Sequence, residues 1–161
     1  MSTGDRIALD QGPQANDYEI LLTDGTEILL RQIHPNFVRD GRPSSQAFRP
    51  TAKDENQLSV AREALTSAEQ AFAHYTDNLK LKSCGTWGVS VAECHTQSLR
   101  TFGQPLSCPP SVVADPAHAI IDFRDHSKSK IEAKGSLLAR AALARGRLYP
   151  RDPTTEDEGS E

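Results

Sequence analysis

The chain has 161 residues, of which 37% are hydrophobic and 25% charged, and its formal net charge is −4. This length and composition predict one folded domain with a substantial core. No stretch approaches the roughly 18 consecutive apolar residues of a membrane-spanning helix, and the first residues lack the basic and apolar regions of a secretory signal, so we expect a cytoplasmic protein with no membrane association.

The two ends of the chain differ in composition from its middle. Residues 151–161 hold five acidic residues, one arginine and no apolar residue, and such a segment buries too little apolar surface to offset the entropy of ordering it. We therefore predict a disordered N-terminal segment over residues 1–16, a single domain over 17–150 and a disordered acidic tail over 151–161.

The first predicted element is a β-hairpin. The apolar runs YEILLT (18–23) and EILLRQIH (27–34) flank Asp24 and Gly25, and an Asp-Gly pair readily supplies the positive φ angles of a type I′ turn. Pro35 and a turn at Asp40-Gly41 then end regular structure, and Pro43 and Pro50 keep the next segment extended.

The middle of the chain predicts a short strand, a helix and a longer strand. Residues 58–60 form the short strand, and the capping-box pattern TSAE at 66–69 indicates the start of the helix. In TWGVSVAE (86–93) apolar residues alternate with small or polar ones, which predicts a strand with Trp87 and Val89 buried on one face.

The last third predicts a loop, a strand and a helix. Residues 94–115 are rich in proline and read as a long loop, whereas HAIIDF (118–123) is typical of a strand. A helical period runs from Ser127 to Arg145 and ends before Gly146. This order of elements predicts an α+β domain with a mixed or mostly antiparallel sheet covered by two helices.

One segment stands out by its charge. The segment from Arg31 to Asp54 contains five basic and two acidic residues, which gives it a local charge of about +3. This excess of positive charge predicts a binding site for an anion. Because guanidinium groups match phosphate in a bidentate manner, Arg31 and Arg42 are candidate ligand contacts. The alternative is a structural role, in which these arginines tie the loop to backbone carbonyls.

Other polar residues of this segment complete the candidate site. His34 could act as a general acid or contact a ligand, although hydrogen bonding at a strand end is the commoner role. Ser44, Ser45 and Gln46 offer hydroxyl and amide groups beside Arg42, or serve a turn. We expect Arg31, His34, Arg42 and the 44–46 segment to converge on one concave surface.

Three short motifs between Leu29 and Tyr75 carry a family resemblance: LLRQIHP with Arg31, the pairs Gly41-Arg42 and Ala47-Phe48, and LSV followed by TSAEQAF. They resemble three features of the RES-type NAD-consuming toxins and their relatives with the ADP-ribosyltransferase fold. In that family the first strand ends in a functional arginine, a second arginine follows before an aromatic residue, and a short strand then leads into an alanine-rich helix. The resemblance implies NAD as a substrate and a helical catalytic acid at Glu69, or less directly at Glu63. It also implies that Ser59 contacts the ligand where the family has an aromatic hydroxyl.

Two functions follow as hypotheses. The first is a small bacterial toxin-like enzyme that consumes NAD or transfers ADP-ribose, with catalytic residues Arg31, His34 and Glu69, and with a cognate protein partner or antitoxin. The alternative is a noncatalytic accessory protein that binds a partner or small ligand through its arginine-rich loop. Nucleic acid ranks last because residues 1–150 are neutral, with 17 basic and 17 acidic residues.

The cysteines indicate neither disulfides nor metal. The three are an odd number, and none forms a CxxC pair, so reduced thiols are favoured. The intervals separating Cys84, Cys94-His95 and Cys108 match no zinc-finger pattern. We therefore predict no metal.

Overall fold

A computed structural model describes residues 19–107 and 113–151. The predicted N-terminal segment, and all but the first residue of the predicted tail, lie outside these described residues. The described residues form a single α+β domain with a six-stranded antiparallel sheet, a small two-stranded sheet and three α-helices. The predicted fold class is thus confirmed, with one helix more than expected.

The strands are β1 (Ile20–Leu21), β2 (Ile28–Gln32), β3 (Val38–Arg39), β4 (Arg42–Pro43), β5 (Gln57–Arg62), β6 (Thr86–Ser90), β7 (Arg100–Gly103) and β8 (His118–Asp122). The α-helices are α1 (Ala68–Ala73), α2 (Val91–Thr96) and α3 (Lys128–Arg145). A π-helical turn, His74–Asn78, continues α1, and the loop after β2 contains the 3-10 turns Pro35–Phe37, Ser45–Phe48 and Ala52–Asp54.

The main sheet has the strand order β1-β7-β8-β5-β2-β6, and every neighbouring pair is antiparallel. Its two halves are joined weakly, because β2 and β5 pair only through Leu29 with Arg62 and Leu30 with Ala61. In contrast, β2 pairs with β6 over five residue pairs. The sheet therefore splits between β2 and β5 beyond Leu30, and this split is the central feature of the candidate site.

The predicted N-terminal hairpin is wrong. Strand β1 pairs with β7 at the far edge of the sheet, whereas β2 pairs with β5 and β6. Neither Asp24 nor Gly25 has a positive φ, and the Asp24 carboxylate instead accepts hydrogen bonds from Thr26 N and Oγ1, at 3.0 and 2.8 Å. These hydrogen bonds from Thr26 to the side chain of Asp24 stabilise a local turn that differs from the type I′ turn of a hairpin. The other Asp-Gly pair, Asp40 and Gly41, has φ angles of 54° and 75° and joins β3 to β4.

One face of the sheet packs against α3 and the Ser45–Phe48 turn. Trp87 and Val89 are buried on this side, with 2% and 0% exposure, as the alternation predicts. Helix α3 approaches the turn closely at Gly135, where a Cβ would lie 3.0 Å from the carbonyl oxygen of Phe48. The core therefore lies between α3 and the sheet, and it leaves the other face for α1.

Three predicted boundaries need correction. Strand β6 ends at Ser90, where a capping box begins α2: Ser90 Oγ accepts from Glu93 N at 3.0 Å, and the Glu93 carboxylate accepts from Ser90 N at 2.7 Å. This reciprocal capping prevails over the alternating pattern that predicted a strand to residue 93. The predicted 94–115 loop contains β7, a buried strand. Helix α1 is capped by Ser67 in place of Thr66.

Candidate functional site

Arg31 occupies the split in the sheet. It follows Leu30, the last residue of β2 that pairs with β5. Its Nε donates a hydrogen bond to the carbonyl oxygen of Ala47 at 3.1 Å, and its Nη1 donates to that of Ser59 on β5 at 3.0 Å. The arginine side chain therefore joins β2 to β5 where backbone pairing has ceased, and it also fixes the loop that carries Ala47.

Two cavities meet at this arginine. The larger has a volume of about 660 Å³ and is lined by β2, β5, α1 with its π-helical turn, and residues around 106 and 113–118. The smaller, of about 320 Å³, is lined by residues of β2, the Pro35–Phe37 turn and Ala47. Arg31, Gln32 and Tyr75 line both cavities, so the two volumes adjoin along the split.

Arg31 is the only lysine or arginine among the described residues that line these cavities. Within residues 19–107 and 113–151, no carboxylate oxygen lies within 4 Å of its guanidinium nitrogens. Desolvation lowers the pKa of Arg31, and the nearby Tyr75 and Asp54 act in the opposite direction. An arginine remains charged in spite of this, so the site presents a half-buried cation, bonded to two backbone carbonyl oxygens, whose charge suits an anionic ligand.

His34 lies beside Arg31 in the smaller cavity. Its Nδ1 accepts a hydrogen bond from the backbone N of Asn36 at 3.0 Å, so the neutral ring carries its proton on Nε2. The Pro35–Phe37 turn bends the chain after β2 and brings the two side chains to one concave surface. The structure therefore brings Arg31 and His34 together at one cavity.

The convergence is wrong for the rest of the loop, because Arg42, Ser44, Ser45 and Gln46 line neither cavity. Arg42 is exposed on the β3–β4 hairpin, and Ser44 Oγ is buried with no hydrogen-bond partner among the described residues. Ser45 Oγ accepts from Arg49 Nη2 at 3.2 Å, and Gln46 is exposed. The tight Asp40-Gly41 turn directs Arg42 into a separate hairpin, so it does not return over the end of β2.

The predicted acids also lie elsewhere. Glu69 is exposed in the first turn of α1, Glu63 is exposed after β5, and neither lines either of these two cavities. The carboxylates in the lining of the larger cavity belong to Asp54 and Asp115. Ser59, the remaining predicted ligand contact, does line this cavity.

Sequence reasoning did not place His74 and Tyr75 in the site, and it gave His118 only as a residue that could approach one. All three line the larger cavity. In a regular α-helix through residue 78, side chains would return to the same face every 3.6 residues. The turn His74–Asn78 is instead π-helical, with wider i→i+5 hydrogen bonds, and this changes which side chains face the sheet. His118 is the first residue of the predicted strand HAIIDF, a position where a polar side chain can reach the surface. Only the pairing of β8 with β5 brings it to this cavity.

Comparison with protein-family models, curated proteins and solved structures gives no match to this chain. Within the described residues, no three His, Cys, Asp or Glu side chains are grouped so that they could hold a metal ion. None of the helices in residues 19–107 and 113–151 is both long and apolar enough to cross a bilayer.

Proposed function

We propose that the two adjoining cavities form one site for an organic anion of nucleotide size, with its anionic group on Arg31. The observation that carries this proposal is the half-buried Arg31 side chain, which lines both cavities and has no carboxylate oxygen of the described residues within 4 Å. The cavity volumes of about 660 and 320 Å³ lie in the range of small-molecule sites.

The chemistry of the lining suits a ligand with a charged and an apolar part. Arg31 and His34 supply polar contacts in the smaller cavity. The larger cavity includes Leu65, Leu79 and Leu81, which are 56%, 38% and 48% exposed. Apolar side chains beside a few convergent polar groups are typical of ligand sites, and a nucleotide presents a phosphate at one end and a flat aromatic base at the other.

Cleavage of NAD between nicotinamide and ribose is a second candidate, because Asp54 lines the larger cavity beside Arg31. The family resemblance implies NAD and a catalytic acid. A carboxylate stabilises the oxocarbenium-like charge of such a bond cleavage, and Asp54 is placed to do so, whereas Glu69 is not. The toxin-like role and the cognate partner or antitoxin depend on the same resemblance and belong to this candidate.

The binding proposal is tested with the full chain by calorimetric titration with ADP-ribose, NAD and adenosine. We expect ADP-ribose and NAD to bind and adenosine, which has no phosphate, to bind at least about tenfold more weakly. Arg31→Met should remove this preference, whereas Arg42→Met should leave it unchanged. Arg31→Lys keeps a cation without the bidentate geometry and should give an intermediate affinity.

Two results would contradict the proposal. One is a folded wild-type protein that binds none of the three compounds at millimolar concentration. The other is an Arg42→Met variant that loses as much affinity as Arg31→Met. A thermal denaturation profile of each variant separates lost binding from lost folding.

The enzymatic candidate is tested by incubation with NAD and chromatographic detection of nicotinamide. If the protein cleaves NAD, Asp54→Asn should reduce nicotinamide release by about 100-fold or more, while Glu69→Gln should have little effect. Binding of NAD without release of nicotinamide would instead support the noncatalytic ligand-binding alternative.

A further inference from the structure

Ser59 and His118 lie together in the larger cavity. In the antiparallel pair of β5 and β8, Ser59 is opposite Ile120 and Ala61 is opposite His118, so Ser59 and His118 point to the same face as diagonal neighbours. Their Oγ and Nε2 atoms are 3.3 Å apart, and the His118 Nδ1 is 3.1 Å from the backbone carbonyl oxygen of Gln104. Both side chains line the cavity.

These contacts determine where the protons lie. A carbonyl oxygen can only accept a hydrogen bond, so the Nδ1 of His118 must carry a hydrogen. In the neutral ring the Nε2 is then an acceptor, and the hydroxyl of Ser59 is the donor in their contact. The serine hydroxyl thus points its proton at a base whose orientation is fixed by a third group, which is the arrangement that activates a serine nucleophile.

We propose that Ser59 is a nucleophile and His118 its general base, in the hydrolysis of a carboxylic ester that carries an anionic group. This proposal rests on the proposed anion site, because Arg31 Nη1 bonds the backbone carbonyl oxygen of Ser59 at 3.0 Å. An anionic group on Arg31 therefore lies next to the Ser59 position. The exposed Leu79 and Leu81 of the same cavity suit the apolar part of the ester.

The reaction proceeds in two balanced steps. Ser59 Oγ attacks the carbonyl carbon while its proton passes to His118 Nε2, and collapse of the tetrahedral intermediate breaks the bond to the leaving oxygen, which takes the proton from Nε2. An acyl-serine and a free alcohol result. Water then attacks the acyl carbon with His118 again accepting the proton, which returns to Ser59 Oγ as the carboxylic acid leaves.

The nucleophile is tested on the full-length protein with an uncharged alkyl fluorophosphonate. Attack by Ser59 forms an O–P bond and expels fluoride, and peptide mass spectrometry locates the adduct. We expect labelling at Ser59 in the wild type, none at that position in Ser59→Ala, and at least about 100-fold slower labelling in His118→Gln. The control Ser129→Ala removes an exposed hydroxyl of α3 and should leave the labelling rate unchanged.

Substrate class is tested with two 4-nitrophenyl esters of equal acyl length, one ending in a carboxylate and one in a methyl group. The wild type should hydrolyse the anionic ester at least about tenfold faster than the neutral one, and Arg31→Met should lose this preference. Absence of fluorophosphonate labelling at Ser59 in folded protein, or equal labelling of His118→Gln, would overturn the nucleophile. Labelling at Ser59 without faster hydrolysis of the anionic ester would refute the anion site but would still support Ser59 as the nucleophile. The two failures are therefore distinguishable.

Discussion

Replacement of Asp122 by asparagine should destabilise the fold strongly, because this buried carboxylate holds two arginines. Asp122 is 2% exposed. Its Oδ2 accepts from Arg100 Nε and Nη2 at 3.0 and 2.6 Å, and its Oδ1 accepts from the backbone N and the Nε of Arg124 at 2.9 and 2.8 Å. All four donors point to the carboxylate of Asp122, which is the last residue of β8 and lies opposite Arg100 of β7.

The size of the effect follows from these four bonds. An asparagine keeps one acceptor oxygen and presents an amide NH₂ in place of the other, so two donors lose their acceptor and both arginines lose the negative charge. A hydrogen bond to a charged group contributes about 1.5–3 kcal/mol, and removing one partner of a buried ion pair costs about 3–5 kcal/mol. We expect Asp122→Asn to lower the free energy of unfolding by about 3–5 kcal/mol, a large part of the roughly 5–15 kcal/mol typical of a domain.

Urea and thermal denaturation, followed by circular dichroism, measure this loss. The matched control is Asp125→Asn, the same chemical change three residues later at an exposed position, which should change stability by less than about 0.5 kcal/mol. For a domain of this size the Asp122→Asn midpoint should fall by about 10 °C. A loss below about 1 kcal/mol, or one equal to that of the control, would refute the view that this network is an essential part of the sheet.

Three further predictions test other parts of the fold. Gly135→Ala should lower stability by about 1–3 kcal/mol despite its better helix propensity, since the new Cβ would lie 3.0 Å from a buried carbonyl oxygen; urea denaturation would show the opposite sign if the helix could shift freely. Desolvation would raise the pKa of Glu93, but hydrogen bonds from Arg145 and the capping box outweigh it and lower the pKa, so Glu93 adds stability above its unfolded pKa that is lost as the pH falls through the lower folded value. Glu93→Gln should therefore flatten the acid limb of a stability–pH curve, and an unchanged limb would contradict the pairing. Burial raises the pKa of Cys94, so peptide mapping after iodoacetamide treatment of folded protein should find the half-buried Cys84 alkylated well before it, and equal rates would refute the packing.

The candidate site was predictable from sequence only in part. Arg31 was identified by its charge and His34 by its position at the end of the second apolar run, and both residues line the smaller cavity. Arg42 carried the same charge signal, yet the Asp40-Gly41 turn places it on a separate hairpin. Charge and proximity along the chain do not specify the direction in which a turn sends the next residue.

Local sequence patterns are sufficient to predict the α+β class, the burial of Trp87 and Val89, and the long C-terminal helix, since each follows from a periodicity that depends on neighbouring residues alone. Tertiary structure decided the partner of each strand: β1 pairs with β7 because long-range contacts, which no local pattern encodes, outweigh the Asp24-Gly25 turn signal. It also decided the site. The split between β2 and β5, and the approach of His118 to Ser59, exist only once strands that are distant in the chain lie side by side in one sheet.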